Sequence, residues 1–264
     1  MPDTPDNTIA VANSEDGRTT YYLCQSGEEL YEEKYTGGFE VPVDLGVARL
    51  ETNATYLLVN DTRAVYCLSE GDTLKDFEFD PETWQWDEGR LEDHGVTAAP
   101  ETHIEAVVRA GTRREVFFQN RSGQVESVFS RDGQTWEVSG AFPATCPTIG
   151  ASLRFLQAAE REYLFYSHES NSIHALVFDG VAWKDESIPG SAQSFPVSDI
   201  YAEAEGTGYR LQFNDPDGNV YLLVNGEAVK IATIVNGEFI RDNDAQADRL
   251  LLEIKAPPKV KGAK

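Results

Sequence analysis

The sequence predicts an all-β chain, a six-bladed β-propeller with a reduced last blade. Three observations predict it. Six copies of one strand signature recur: Arg18-Thr-Thr-Tyr-Tyr-Leu23, Arg63-Ala-Val-Tyr-Cys-Leu68, Arg114-Glu-Val-Phe-Phe-Gln119, Glu162-Tyr-Leu-Phe-Tyr-Ser167, Tyr209-Arg-Leu-Gln-Phe-Asn214 and Asp248-Arg-Leu-Leu-Leu-Glu253. Their starts lie 45, 51, 48, 47 and 39 residues apart, and a repeat of about 40–50 residues in a strand-rich chain marks a propeller with one blade per repeat. No segment shows helical periodicity for more than about two turns.

Each repeat has the same internal order. An inner strand comes first, at 8–12, 56–59, 104–108, 153–156, 200–204 and 231–235. The signature strand follows, then a turn built on Ser26-Gly27, Glu70-Gly71, Ser122-Gly123, Ser170-Asn171 or Asp217-Gly218, which suits a tight hairpin. A third strand runs over 30–33, 74–79, 125–129, 173–178 or 220–224. An aromatic closes most repeats: Phe39, Trp84 or Trp86, Trp136, Trp183. After residue 254 the chain reads Lys-Ala-Pro-Pro-Lys-Val-Lys-Gly-Ala-Lys, which cannot pair as a strand. The expectation is one domain over 1–254 with a flexible basic C-terminal tail at 255–264. Five blades plus a closing strand is the rival count.

Composition narrows the function. With 41% hydrophobic and 11% aromatic residues, the 264-residue chain can build a sizeable core. Its 45 acidic and 22 basic residues give a net charge of −23, a field that repels phosphate backbones and anionic membranes. Neither nucleic acid nor membrane is an expected partner; a homodimer is compatible with the sequence. Cys24, Cys67 and Cys146 form neither a disulfide framework nor a zinc motif. The N-terminus lacks the charged and apolar regions of a secretory signal, so a cytoplasmic location is expected. His94, His103, His168 and His174 are scattered, and no nucleophile elbow, phosphate loop or dinucleotide fingerprint occurs. No metal and no cofactor are expected.

The residues resemble the fungal fucose-specific lectins, which are six-bladed propellers. Ile9-Ala-Val-Ala-Asn-Ser is similar to their first blade, and the run from Arg63 to Asp80 to their second. The resemblance implies sugar sites between blades. Each would use an arginine at the second signature position, an acid in the next strand and a tryptophan after the following turn. Here the arginine position reads Thr19, Ala64, Glu115, Tyr163, Arg210 and Arg249. The acid position reads Glu32, Asp76, Ser127, Ala175 and Leu222. The aromatic position reads Phe39, Trp84/Trp86, Trp136, Trp183 and Val229. No repeat holds all three. Arg18, Arg63 and Arg114 stand one position earlier, so strand alternation points them to the opposite face and they do not complete these sites.

Two functions are weighed. Lectin-like propellers of this sort resemble the hetero-Diels–Alderases of fungal tropolone–sesquiterpene biosynthesis, which implies a pericyclase of secondary metabolism working without metal or covalent catalysis. Arg210 and Arg249 would be its catalytic donors, and Trp84, Trp86, Trp136, Tyr163 and Trp183 its substrate-binding walls. The partner would be an apolar small molecule. The alternative is a fucose-type lectin with altered or few sites, whose partner is a saccharide. The first reading is the leading expectation, because no two sites are equivalent.

Overall fold

The computed structural model describes residues 5, 7–59, 62–109, 113–140, 142–158, 161–206, 208–235 and 238–242. They form five antiparallel sheets, each a meander in chain order. The first holds β1 (Thr8–Asn13), β2 (Thr20–Ser26), β3 (Glu29–Tyr35) and β4 (Val43–Val47). The second holds β5 (Thr55–Val59), β6 (Thr62–Leu68), β7 (Leu74–Asp80) and β8 (Gln85–Glu88). The third holds β9 (Glu105–Arg109), β10 (Arg113–Gln119), β11 (Val125–Ser130) and β12 (Glu137–Val138). The fourth holds β13 (Leu153–Ala158), β14 (Arg161–His168), β15 (Ser172–Phe178) and β16 (Trp183–Ser187). The fifth holds β17 (Ile200–Glu205), β18 (Gly208–Asn214), β19 (Asn219–Val224), β20 (Glu227–Val235) and β21 (Glu238–Arg241).

Inner strands pack in succession, β1 on β5, β5 on β9, β9 on β13 and β13 on β17, so the sheets stand as the blades of a β-propeller. Five signature copies fall on the second strand of a sheet, as predicted. Those in the second, third and fourth sheets are buried on both faces, which explains their nearly continuous apolar run. In the fifth, the half-buried Arg210 and Gln212 alternate with buried Leu211 and Phe213. In β6, Val65 and Cys67 pack towards the first sheet, whereas Ala64, Tyr66 and Leu68 pack towards the third. One hydrophobic cluster fills each gap between consecutive sheets, from the first to the fifth.

One expected strand is corrected. Residues 231–235 do not open a sixth blade; they continue β20, the fourth strand of the fifth sheet, and pair with β21. Only Lys230 separates Val229 from Ile231, and Lys230 is itself paired with Tyr221, so the ladder has no turn at which to break. The sixth signature copy at 248–253, with Arg249, and the tail at 255–264 lie outside the described residues. So the described residues leave the choice between six blades and five open.

Sheets four and five also meet through backbone. Gly190 has φ 76° and follows β16; a Cβ there would stand 1.8 Å from the carbonyl oxygen of Gly226, in the β19–β20 turn. Gly180 also has positive φ, at 92°, but nothing lies within 4 Å of its Cβ position. Gly180→Ala is therefore expected to cost only the left-handed backbone penalty, about 1–2 kcal/mol. Gly190→Ala adds backbone overpacking of about 1–3 kcal/mol. Urea denaturation of the two variants measures the difference; equal losses would mean that the sheets do not meet this closely.

Candidate functional site

Signature alternation sets the chemistry of each gap. Second-position residues face the following sheet, and first-position residues face back onto the preceding one. A gap therefore draws its acid from one repeat, and its first-position residue and closing aromatic from the next.

In the first gap, Arg63 of β6 meets Glu32 of β3. The guanidinium Nη2 bonds Glu32, the Tyr56 hydroxyl donates to the same carboxylate, and Arg63 Nε donates to the Tyr56 oxygen at 3.0 Å. Arg63 lies 3.5 Å from the ring centroid of Phe79 and 4.8 Å from that of Tyr21, a cation held between two aromatic rings. Burial pushes the Tyr56 hydroxyl far above its ordinary pKa, and the neighbouring Glu32 charge adds to this. Tyr56 therefore stays a neutral donor. Above this network opens a cleft of about 810 Å³, lined among others by Asp16, Thr19, Tyr21, Arg63, Phe79 and Trp84. The arginine position on the first sheet is Thr19, too short to fill the space.

Trp84 stands on the lip of this cleft, 70% exposed and at φ 60°. A bulky residue in the left-handed region is uncommon and carries backbone strain. The turn that holds it is explicit: Asp80 accepts from the Glu82 N–H at 2.8 Å and the Thr83 hydroxyl at 2.9 Å, and its carbonyl accepts from Trp84 N–H at 2.9 Å. Spacing alone left Trp84 and Trp86 as alternatives for one position. The structure separates them. Trp86 pairs with Phe79 across β7 and β8, as Trp183 pairs with Phe178 across β15 and β16, so Trp86 is the buried inter-sheet aromatic. Trp84 meets Phe79 edge-on, with ring centroids 6.1 Å apart, and otherwise stays exposed.

The other three gaps between the described sheets are filled by the chain itself. In the second, Arg114 of β10 bonds Glu78 of β7, beside Tyr66 and Trp136. In the third the charges are reversed. Glu115 occupies the arginine position, and Arg109 bonds both Glu115 and Glu162, with Ser127 donating to Glu115 at 2.6 Å. In the fourth, Tyr163, Phe165 and Tyr209 pack ring to ring, with centroids 4.9–5.6 Å apart.

The expected walls of one substrate pocket are therefore distributed. Trp84 and Trp86 belong to the first gap, Trp136 to the second, Trp183 to the third and Tyr163 to the fourth; all but Trp84 are buried. They brace sheets rather than converge, because each closing aromatic points at the preceding sheet. Arg210 lies on the outward face of the fifth sheet, bonded to Glu203, and Arg249 lies outside the described residues. Sequence reasoning set Arg63 and Arg114 aside for facing the wrong way. They do face the opposite side, but there they meet Glu32 and Glu78 of the preceding repeat. Reading each first position against all acids of the previous repeat's third strand, which include Glu32 in one and Asp76 and Glu78 in the next, would have found them.

No protein-family model matches the chain, and none of the curated proteins does. Solved structures do. AofleA from Arthrobotrys oligospora is similar at 18% identity and a TM-score of 0.71, over 87% of this chain and 73% of that one. A variant of the Aleuria aurantia lectin in complex with α-methyl-L-fucoside is similar at 17% identity and a TM-score of 0.66, over 90% and 79%. The SapL1 lectin with α-methyl fucoside gives 17% and 0.64, over 89% and 80%. Another structure of the Aleuria aurantia lectin is described as a six-bladed β-propeller. At these identities the likeness is one of fold: the chain is a β-propeller similar in fold to these lectins.

The second gap also holds Asp76, fully buried against Gly89. Burial raises its pKa; the Leu91 N–H bond at 2.9 Å opposes this, Glu78 adds to it and Arg114 opposes it, leaving the carboxyl pushed up to about 6 from 3.8. Between those values the folded chain keeps a proton that the unfolded chain has lost. Stability therefore falls as pH rises through this window, by about 3 kcal/mol in all, and stays reduced above it. Asp76→Asn keeps the acceptor for Leu91 and removes the charge. It is expected to be more stable than wild type near pH 7 and indistinguishable near pH 4, by urea denaturation. A difference that does not change with pH would show that Asp76 is not the titrating group.

Proposed function

We propose that this chain is a carbohydrate-binding protein of lectin type, with one saccharide held per chain in the cleft between the first two sheets. The observation that carries the reading is Trp84: 70% exposed, strained, touching only the edge of Phe79 among the described rings and set at the mouth of a cleft with Arg63. A sugar offers an apolar C–H face and polar hydroxyls. Trp84 and Phe79 supply flat rings for the first. Arg63 uses Nε and Nη2 inward, leaving the two Nη1 hydrogens as charge-assisted donors for a hydroxyl. Asp16 supplies an acceptor; its bonds from the Ser14 hydroxyl and Arg18 N–H hold its pKa below the usual range, so it is ionised near neutral pH. Arginine thus comes from the wall opposite the one the lectin pattern implies, and compensates for Thr19. A fucoside is the natural first ligand, since the similar Aleuria aurantia and SapL1 structures hold α-methyl fucoside.

The cyclisation reading finds less support. It needs a donor and several apolar walls around one cavity, whereas the four tryptophans are spread over three gaps and Arg210 shares its pocket with none of them.

Calorimetric titration with methyl α-L-fucoside, preceded by a glycan array, tests the proposal. Binding is expected at one site per chain. Trp84→Ala and Arg63→Ala should each weaken it at least about tenfold, the equivalent of about 1.4 kcal/mol. Trp84→Ala should leave the melting temperature near that of wild type, since Trp84 packs little. An array blank at high protein concentration, or unchanged affinity in Trp84→Ala, would sink the idea.

A further inference from the structure

We infer that the turn joining β14 to β15 is an acid-sensitive latch: the stacked imidazoles of His168 and His174 hold it shut near neutral pH, and protonation of both releases it. The two rings lie nearly parallel, 11° apart, with centroids at 3.9 Å. The register makes this contact. His168 pairs with Ser172 and His174 with Tyr166, so the histidines are diagonal neighbours on one face of the hairpin. That is the face Tyr166 turns to the third sheet. The stack stands at the opposite end of β14 from Glu162, which Arg109 binds.

Each ring has a different anchor. His174 Nδ1 lies 3.2 Å from both oxygens of Asp185 in β16, and Asp185 also accepts from the Tyr166 hydroxyl at 2.8 Å. A protonated His174 therefore has a carboxylate to meet. His168 has a backbone donor in that place: the Ser170 N–H donates to its Nδ1 at 3.1 Å, so the neutral ring carries its hydrogen on Nε2. The Ser170 hydroxyl, 2.8 Å from the same nitrogen, can exchange donor for acceptor, but the backbone N–H cannot. Protonating His168 beside a charged His174 breaks the bond that shapes the turn and sets two like charges face to face. Among the described residues, the other titratable groups facing the stack are Asp185, Glu169 in the turn, Tyr166 and Cys146. Burial and then the His174 charge lower the His168 pKa, against Asp185 and Glu169.

The turn also holds its surroundings. The Glu169 N–H donates to the Cys146 carbonyl and the Thr148 N–H to the Ser167 carbonyl, both at 3.0 Å, while the Gln193 N–H donates to the Asn171 carbonyl at 2.9 Å. The connections entering and leaving the fourth sheet are thus tied to one hairpin. Below pH 6.5 an opened turn takes up a proton that the closed turn resists, so closure is fully favoured above that value and weakens as pH falls.

Hydrogen exchange of the full chain, read by mass spectrometry near pH 7.5 and near pH 5 and corrected for intrinsic rates, tests the latch. Peptides covering 144–149 and 165–175 should lose protection at least about threefold at the lower pH. Asp76 moves the stability of the whole chain the other way between 3.8 and about 6, so a loss confined to these peptides is local opening. His168→Phe keeps a stacking ring without a titrating nitrogen and should abolish the difference between the two pH values. His174→Phe removes the second charge and should raise the titration point of His168, read from its imidazole proton resonances; this readout serves if His168→Phe does not fold. Protection unchanged between the two pH values would overturn the latch, as would the same pH-dependent loss in His168→Phe. A His168 resonance titrating at or above 6.5 would overturn it equally. Either result leaves the saccharide proposal standing, because Trp84 and Arg63 belong to the first gap.

Discussion

Charges buried between sheets must be neutralised by the neighbouring sheet, and this constraint shapes the rest of the molecule. A propeller blade has no solvent face near its inner strands, so a charged side chain there either crosses the gap to a partner or carries a large desolvation cost. Arg63 reaches Glu32, Arg114 reaches Glu78, and Arg109 spans Glu115 and Glu162. These pairs set which sheet follows which at a defined distance. They also occupy the places where the lectin pattern would put a ligand. Structural closure and ligand binding therefore compete for the same positions.

That competition explains why the gaps differ. In the third gap the acid sits where the pattern expects arginine, and the arginine comes from β9; the charges are exchanged, yet the ion pair survives. In the fourth gap both charges are gone and three aromatic rings fill the volume. Both arrangements satisfy burial, and neither leaves room for a guest. Among the described residues, only the first gap combines a short residue, Thr19, with an arginine whose Nη1 is left over and a mostly exposed tryptophan. The second gap shows the cost of partial repair. Arg114 answers Glu78 and leaves Asp76 Oδ2 with no hydrogen-bond partner among the described residues, and burial makes Asp76 bind its proton more tightly.

The fold was legible because two-sided burial writes itself directly into sequence. Val65, Tyr66 and Cys67 are all apolar since each face of β6 meets a sheet, and that run repeats at blade spacing. The end of the repeat was less legible. Residues 231–235 look like an inner strand, but strand character does not say which sheet a strand joins, and Lys230 gave no turn to separate them. The site was legible only in part. Face alternation correctly turned Arg63 away from its own repeat's acid, but its partner lies 31 residues upstream, in the previous repeat. Likewise the spacing from Asp80 to Trp84 matches that from Asp132 to Trp136 and from Asp179 to Trp183. Loop length, which swaps the roles of Trp84 and Trp86, became visible only in the register.

One saccharide site per chain, as proposed, changes what binding can achieve. Rings of equivalent sites gain strength from simultaneous engagement, which multiplies modest affinities by effective concentration without any new contact. A chain with one such site would have no such help within itself, so discrimination would come from direct contacts. Pre-organisation then matters more than number. Arg63 is fixed before any ligand arrives by Glu32, Tyr56 and two aromatic rings, so little side-chain entropy remains to be lost on binding. The same bonds that close the first two sheets against each other thus prepare the donor that a ligand would meet, and at this gap alone structural pairing and recognition are not in competition.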